Sequence, residues 1–217
     1  MRRLVALAVS ASAAALLVAL PSTAAFAATT HDVLTTGKVG GPNVKVGALL
    51  QGGLKTGTKA TFLTSKSAGI SCKSVSFTDK VTKNPSKPGV ATEQLTAQTY
   101  KKCSVSGITG ATGVKSVVLN NLPYKTTISD AKGNPVIVFG TTATLTLTTV
   151  LGPLSCQYKA TKTNGSASNT GQTISFVSQA FKLKAGPSAC PATGSFSATF
   201  GPVKDTSVKG SPHVFVN

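Results

Sequence analysis

The sequence predicts an all-β protein, an immunoglobulin-like β-sandwich built from two tandem related halves and stabilised by disulfides. Three observations lead to this prediction. Thr, Ser, Gly, Val and Ala dominate the composition and Trp is absent, which is typical of sheets joined by many turns. Short segments alternate apolar and polar residues, and no long segment has apolar residues at helical spacing. The second half of the chain also repeats blocks of the first.

The first 27 residues have the organisation of a secretory signal peptide. Arg2 and Arg3 give a positive start, residues 4–20 form an apolar run, and Ala25-Phe26-Ala27 fits an A-x-A cleavage site. A membrane anchor is the alternative, which the short, Ala-rich run disfavours. We expect cleavage after Ala27 and an extracellular or wall-associated protein, with the choice between the general secretory and twin-arginine routes left open.

Strand signals are clearest in the second half of the chain. In TTATLTLTT, residues 141–149, the side chains of Ala143, Leu145 and Leu147 face one way and the threonines face the other. GSFSATF, residues 194–200, alternates in the same way. Both patterns predict half-buried strands.

The repeat sets the predicted boundaries. Matched blocks recur in the same order: GTKATF at 57–62 with GTTATL at 140–145, TEQLTAQTYK at 92–101 with TISFVSQAFK at 173–182, and KGNP at 132–135 with KGSP at 209–212. This order predicts a lead-in segment at 28–56, a first β repeat at 57–139 and a second at 140–217.

A few strands with one apolar face are marginally stable alone, so pairing two such units buries both faces. The junction VIVFGTTATLTL, residues 136–147, contains almost no polar linker. We therefore expect residues 28–217 to form one packed unit, with two abutting immunoglobulin-like domains as the alternative.

Four cysteines in an exported chain predict two disulfides. All three possible pairings are compatible with the repeat. Pairing Cys72 with Cys103 and Cys156 with Cys190 closes the shortest loops, so loop length favours it. The chain contains no CxxC motif and no His near a Cys, which weighs against a metal or redox site, and we predict no cofactor.

The mature segment is strongly basic without arginine. Of the 22 Lys and Arg residues, two are the arginines at the start, which leaves twenty lysines against five acids and a net charge of about +15. The lysines are dispersed, so the plain interpretation is a soluble surface, and weak attraction to an anionic wall polymer or polysaccharide is the functional one. Lack of Arg disfavours nucleic acid as a partner. Candidate polyanion contacts are the repeat-equivalent pairs Lys101 with Lys182 and Lys132 with Lys209.

The sequence contains no recognisable set of catalytic residues. His31 follows the cleavage site closely, where we expect a mobile end, and His213 stands where the first repeat has Val136. No GxSxG nucleophile motif occurs. Asp130 and Asp205 precede the two KG[NS]P turns, which favours turn chemistry, and a symmetric pair of glycosidase acids is the alternative. We predict no catalytic residue.

Aromatic residues suggest packing more than a sugar platform. Tyr100 and Phe181 are repeat-equivalent, which favours a place in the core. Tyr124 follows Pro123, and we expect it to be the exposed aromatic.

The signal segment, the Thr/Gly/Ala-rich β chain, four cysteines and Lys without Arg form a layout that resembles small secreted β-rich proteins of high-GC Gram-positive bacteria. The resemblance implies a location and no specific activity. We expect a non-enzymatic module with a binding or structural role in the cell envelope or medium. The alternatives are a hydrolase or lyase of acidic polymers and a small-ligand carrier with a cleft between sheets. The oligomeric state is left open.

Overall fold

The computed structural model of the protein describes residues 30–217, so the predicted signal peptide at 1–27 lies outside the described residues. All regular elements in the described range are β-strands, and no helix there could span a membrane. The strands are β1 (Leu34–Thr36), β2 (Leu49–Gly53), β3 (Ala60–Leu63), β4 (Gly69–Lys83), β5 (Val90–Ser106), β6 (Ala111–Asn120), β7 (Tyr124–Ser129), β8 (Pro135–Phe139), β9 (Thr142–Thr149), β10 (Gly152–Lys159), β11 (Lys162–Ser168), β12 (Thr173–Ala185), β13 (Thr193–Phe200), β14 (Lys204–Asp205) and β15 (Val214–Val216).

Eight of these strands form a closed antiparallel barrel, in the order β11, β8, β7, β5, β4, β3, β13, β12 and back to β11. The all-β prediction is confirmed, but the barrel takes the place of the expected immunoglobulin-like sandwich. The physical reason is that a single sheet closed on itself buries one face of every strand and leaves no free edge in the ring.

A bend in β12 allows the barrel to branch. The register of β12 against β13 shifts between Phe176 and Gln179. The first part of β12 then pairs with β11, and its last part pairs with β10. From β10 the sheet continues through β9 to β6, outside the ring.

The lead-in segment is bound into the fold. β1 pairs with β15, which joins the start of the described chain to its end, and β2 pairs with β4 and β14. The Asn84 side chain donates to the carbonyl oxygens of Leu34 and Val44, both at 2.9 Å. His31 also lies in the fold rather than in a free end, since its carbonyl oxygen accepts from the Lys87 amide at 3.1 Å.

Strands from the two predicted repeats interleave. β3 of the first pairs with β13 of the second, and β9 of the second pairs with β6 of the first. The two KG[NS]P turns have matching geometry: the Asn134 amide donates to the Ala131 carbonyl at 2.8 Å, and the Ser211 amide donates to the Val208 carbonyl at 2.9 Å.

Both predicted disulfides are present. Cys72 and Cys103 are directly opposite each other on β4 and β5. Cys156 on β10 joins Cys190 in the loop after β12. The predicted core positions of Tyr100 and Phe181 are also confirmed, because Phe181 is buried and Tyr100 packs against the main core.

The expected exposure of Tyr124 is wrong. β7 alternates Tyr124, Thr126 and Ile128 on its buried face, so strand phase places the ring inside. The hydroxyl accepts from the Thr142 amide at 3.0 Å and also lies against the Asn120 carbonyl oxygen. The polar tip of the ring is therefore satisfied within the fold.

Closure of the barrel depends on a glycine opposite an aromatic ring. Gly165 on β11 is directly paired with Phe176 on β12. A Cβ atom at Gly165 would lie 2.7 Å from the Ser175 carbonyl oxygen and 2.8 Å from the Phe176 ring. A larger residue there would separate the two strands that close the ring.

We expect Gly165→Ala to lower the free energy of unfolding by about 1–3 kcal/mol, because the added methyl group overpacks this contact. Gly113→Ala on β6 is the matched control, since its Cβ would come no closer than 3.9 Å to Thr148. The control should change the value by no more than about 0.5 kcal/mol. Equal effects in urea unfolding of the two variants would contradict the role of Gly165.

Candidate functional site: an acid pair inside the barrel

The barrel interior contains a cavity of about 90 Å³, called here the central cavity. All eight barrel strands contribute to its wall, and β6 and β9 complete it. The wall is mainly apolar, and six phenylalanines supply much of it: Phe62, Phe77, Phe176, Phe181, Phe196 and Phe200. Their rings pack edge-on or tilted against aromatic neighbours, with centroids 4.8–6.5 Å apart. The cavity therefore has an apolar lining that includes several packed aromatic rings.

Two carboxyl groups line this apolar space. Asp79 on β4 is 6 % exposed and Glu93 on β5 is 2 % exposed. In the ladder between these strands Asp79 is opposite Leu95, and Val81 is opposite Glu93, so the two acids are diagonal neighbours on the inward face. We call them the acid pair. They also border a second cavity of about 30 Å³ on the side of β1, β2 and β15.

Several oxygens on the central cavity are unpartnered. In the described part of the chain, four buried side-chain oxygens make no hydrogen bond: Asp79 Oδ1, Glu93 Oε1, Thr126 Oγ1 and Thr141 Oγ1. All four residues line the central cavity, and Thr126 is directly opposite Glu93 on β7. Each buried polar group without a partner costs about 1–3 kcal/mol. Four of them on one wall favour a binding site over a purely structural core.

Among residues 30–217 no cationic side chain offsets the acid pair. All twenty lysines are exposed, and none of the lysines or the two histidines lines either cavity. Burial raises the pKa of Asp79 to about 7. Burial first, and the neighbouring Asp79 second, raise the pKa of Glu93 well above its usual range. The pair therefore holds at least one proton near neutral pH.

Tyr100 is the third ionisable group on the wall of the central cavity. Burial raises the pKa of its hydroxyl, so the ring is uncharged across the physiological range. The chemistry available at the site is protonation of two carboxyls whose charges influence each other, and hydrogen bonding to a small molecule in the cavity.

The acids considered from sequence have structural roles. Asp205 Oδ1 accepts from the Ser207 amide at 2.9 Å, which confirms its predicted turn chemistry. Both carboxylate oxygens of Asp130 instead accept from the Gly89 amide, each at 3.1 Å, so this acid joins two loops and does not bond ahead into its own turn. His213 is half-buried, and its backbone forms an isolated antiparallel β-bridge with that of Lys204.

The four candidate lysines are all exposed: Lys101, Lys182, Lys132 and Lys209. Within residues 30–217 no three His, Cys, Asp or Glu side chains group in a way that could hold a metal ion. The acid pair was not singled out from the sequence. The alternation of the strand could have indicated that Asp79 faces inward, because Asp79 is in phase with the buried residues Val75, Phe77 and Val81.

No protein-family model, curated protein or solved structure matches the chain. The chemistry of the central cavity is therefore inferred from its own residues.

We expect the free energy of unfolding to fall as pH rises from about 4 to about 7. In this window the carboxyls of Asp79 and Glu93 keep protons in the folded state that they have lost in the unfolded chain. The free energy of unfolding is therefore greatest below the carboxyl pKa values of the unfolded chain, and it declines as pH rises towards the pKa values of the folded state. Each carboxyl contributes a slope of about 1.4 kcal/mol per pH unit.

Urea unfolding across this range tests the slope. Asp79→Asn should reduce the fall, and Asp32→Asn is the control, because Asp32 lies outside both cavities and accepts from the Ser86 hydroxyl. A wild-type stability that rises over this window would contradict the assignment of a protonated pair.

Proposed function

We propose that the protein is an exported, non-enzymatic binding protein that carries a small molecule inside its barrel. The central cavity, with an apolar wall and four unpartnered oxygens, is the observation that supports this function. Eight-stranded barrels have interiors just wide enough to be filled by side chains or to hold one small ligand. A ligand in the cavity would satisfy the oxygens and occupy the space between the phenylalanine rings.

The cavity limits the size of this ligand. An apolar cavity of about 150 Å³ accepts benzene, whereas a water needs only about 10–15 Å³. The central cavity, at about 90 Å³, lies between these values. A molecule with a handful of non-hydrogen atoms fits this volume.

A hydrolase or lyase acting on an acidic polymer is the second candidate, and the acid pair is the feature that favours it. Both carboxyls are more than nine-tenths buried inside the barrel, where a polymer chain has no room. Ionised carboxyls would also repel an anionic substrate. The carrier function accounts for the enclosure, so we prefer it.

The setting we propose is the cell envelope or the surrounding medium. The predicted signal peptide supports export, and two disulfides are compatible with an extracellular location. We also propose that the two halves arose by tandem duplication. The ordered sequence blocks and the matching turns at Gly133 and Gly210, with φ of 85° and 84°, support this origin.

Protein isolated from the medium of its natural host should contain a small molecule that native mass spectrometry detects as a mass released on denaturation. Ala143→Leu should abolish this extra mass, because Ala143 lines the central cavity and leucine would fill it. Ala180→Leu is the matched control, since Ala180 is exposed on β12. Wild-type protein without a releasable mass, or equal occupancy in Ala143→Leu, would contradict the carrier function.

The exposed lysines should give weak, non-specific attachment to anionic wall polymers. We expect the protein to leave purified cell wall before the salt reaches about 0.15 M, where the Debye length has fallen to about 8 Å. We expect the double variant Lys101→Gln, Lys182→Gln to lower the salt concentration at which the protein is released. The decrease should be no larger than in the double variant Lys38→Gln, Lys55→Gln, which changes two other exposed lysines. Retention well above this salt concentration, lost only with Lys101 and Lys182, would instead indicate a dedicated polymer site.

A further inference from the structure

We infer that the central cavity selects a small organic cation, a primary ammonium group on a short apolar body, with its head between Asp79 and Glu93. This inference rests on the proposed carrier function and adds the chemical class of the ligand. It follows from the charge of the wall, the number of its unpartnered oxygens and the nature of its apolar lining.

The charge of the wall favours a cation. Its ionisable groups are the acid pair and Tyr100, and every lysine of the chain is exposed outside the barrel. An anionic ligand would meet like charge in an environment with little water to screen it. A cationic ligand would supply the counter-charge that the protein itself does not place there.

The unpartnered oxygens match the hydrogen-bonding capacity of an ammonium group. A primary ammonium donates three hydrogen bonds and accepts none. Asp79 Oδ1 and Glu93 Oε1 are acceptors when ionised, and the hydroxyls of Thr126 and Thr141 can accept as well. An alcohol of the same size donates only one hydrogen bond, so it would leave most of these oxygens unsatisfied.

The apolar lining favours an organic cation over a metal ion. Calcium takes six to eight oxygen ligands, and magnesium usually retains several waters. Two carboxyls and two hydroxyls reach the lower limit for calcium only if both carboxyls bind through both of their oxygens, and the remaining wall is mainly apolar, with six phenylalanines. Aromatic faces attract organic cations and pack against an alkyl body.

Binding of an ammonium group is linked to the protonation of the acid pair. The cation favours the ionised form, so uptake expels a proton to solvent, and acidification reverses the process. The titratable groups facing the pair from all the surrounding strands are Tyr100 and the two acids themselves. Affinity for the cation should therefore rise with pH through the neutral range.

The test is calorimetric titration of the full mature protein with propylammonium chloride and with 1-propanol, at about pH 6 and about pH 8 and constant salt. At the higher pH we expect the amine to bind at least about ten-fold more tightly than the alcohol. At the lower pH the amine should bind more weakly than it does at the higher pH. Repeating the titration in buffers of different ionisation enthalpy should reveal proton release on binding of the amine.

Asp79→Asn should lower the affinity for propylammonium about ten-fold or more and change the affinity for 1-propanol much less, because the alcohol carries no charge. The substitution keeps the side-chain shape and removes a buried charge, and Glu93→Gln is the second variant, with the same expected loss. Asp32→Asn is the control that should behave as wild type.

Equal binding of the amine and the alcohol, or unchanged amine binding in both acid-pair variants, would overturn the cation assignment and leave an apolar carrier. Failure of both probes to bind would overturn it as well. In that case the releasable mass in protein from the natural host still decides the carrier function separately.

Discussion

Pairing of β11 with both β8 and β12 is the interaction on which the rest of the structure depends. This single strand converts a curved sheet into a closed barrel, and the barrel separates an interior from solvent. Gly165 permits the closure because its backbone lies directly against Phe176. The same closure brings the inward faces of strands far apart in sequence onto one cavity, from Ala60 on β3 to Phe200 on β13.

Barrel closure also places the basic side chains and part of the acidic side chains in different environments. All twenty lysines are on the outside, where water solvates them, whereas three of the five acids are buried, and two of these, Asp79 and Glu93, line the barrel interior. Burial of uncompensated carboxyls and hydroxyls costs stability, which the disulfides and the phenylalanine-rich core help to offset. Such a cost is common at binding sites, because the groups that destabilise the free protein are those that recognise a ligand. The acid pair thus connects the energetics of the fold to the proposed function.

Local features of this fold were predictable from sequence, and long-range ones were not. Alternation at 141–149 and 194–200 predicted strands that the structure has at Thr142–Thr149 and Thr193–Phe200, because the period of two depends only on neighbouring residues. Loop length predicted both disulfides. Barrel closure was missed because it depends on pairing between distant strands. The acid pair was missed because Asp79 and Glu93 are fourteen residues apart on separate strands. They become neighbours only through the register of the β4–β5 ladder.

Asp79 and Glu93 are buried together in the barrel, and burial raises the pKa of both. Carbon-detected NMR titration of the side-chain carboxyls in the free protein tests directly whether this pair retains a proton at neutral pH. We expect Asp79 to titrate near pH 7 and Glu93 well above its usual range, and substituting either residue should shift the midpoint of the other. Two independent titrations near the ordinary values of 3.8 and 4.5 would show solvated, separate carboxyls and would contradict a protonated, buried pair.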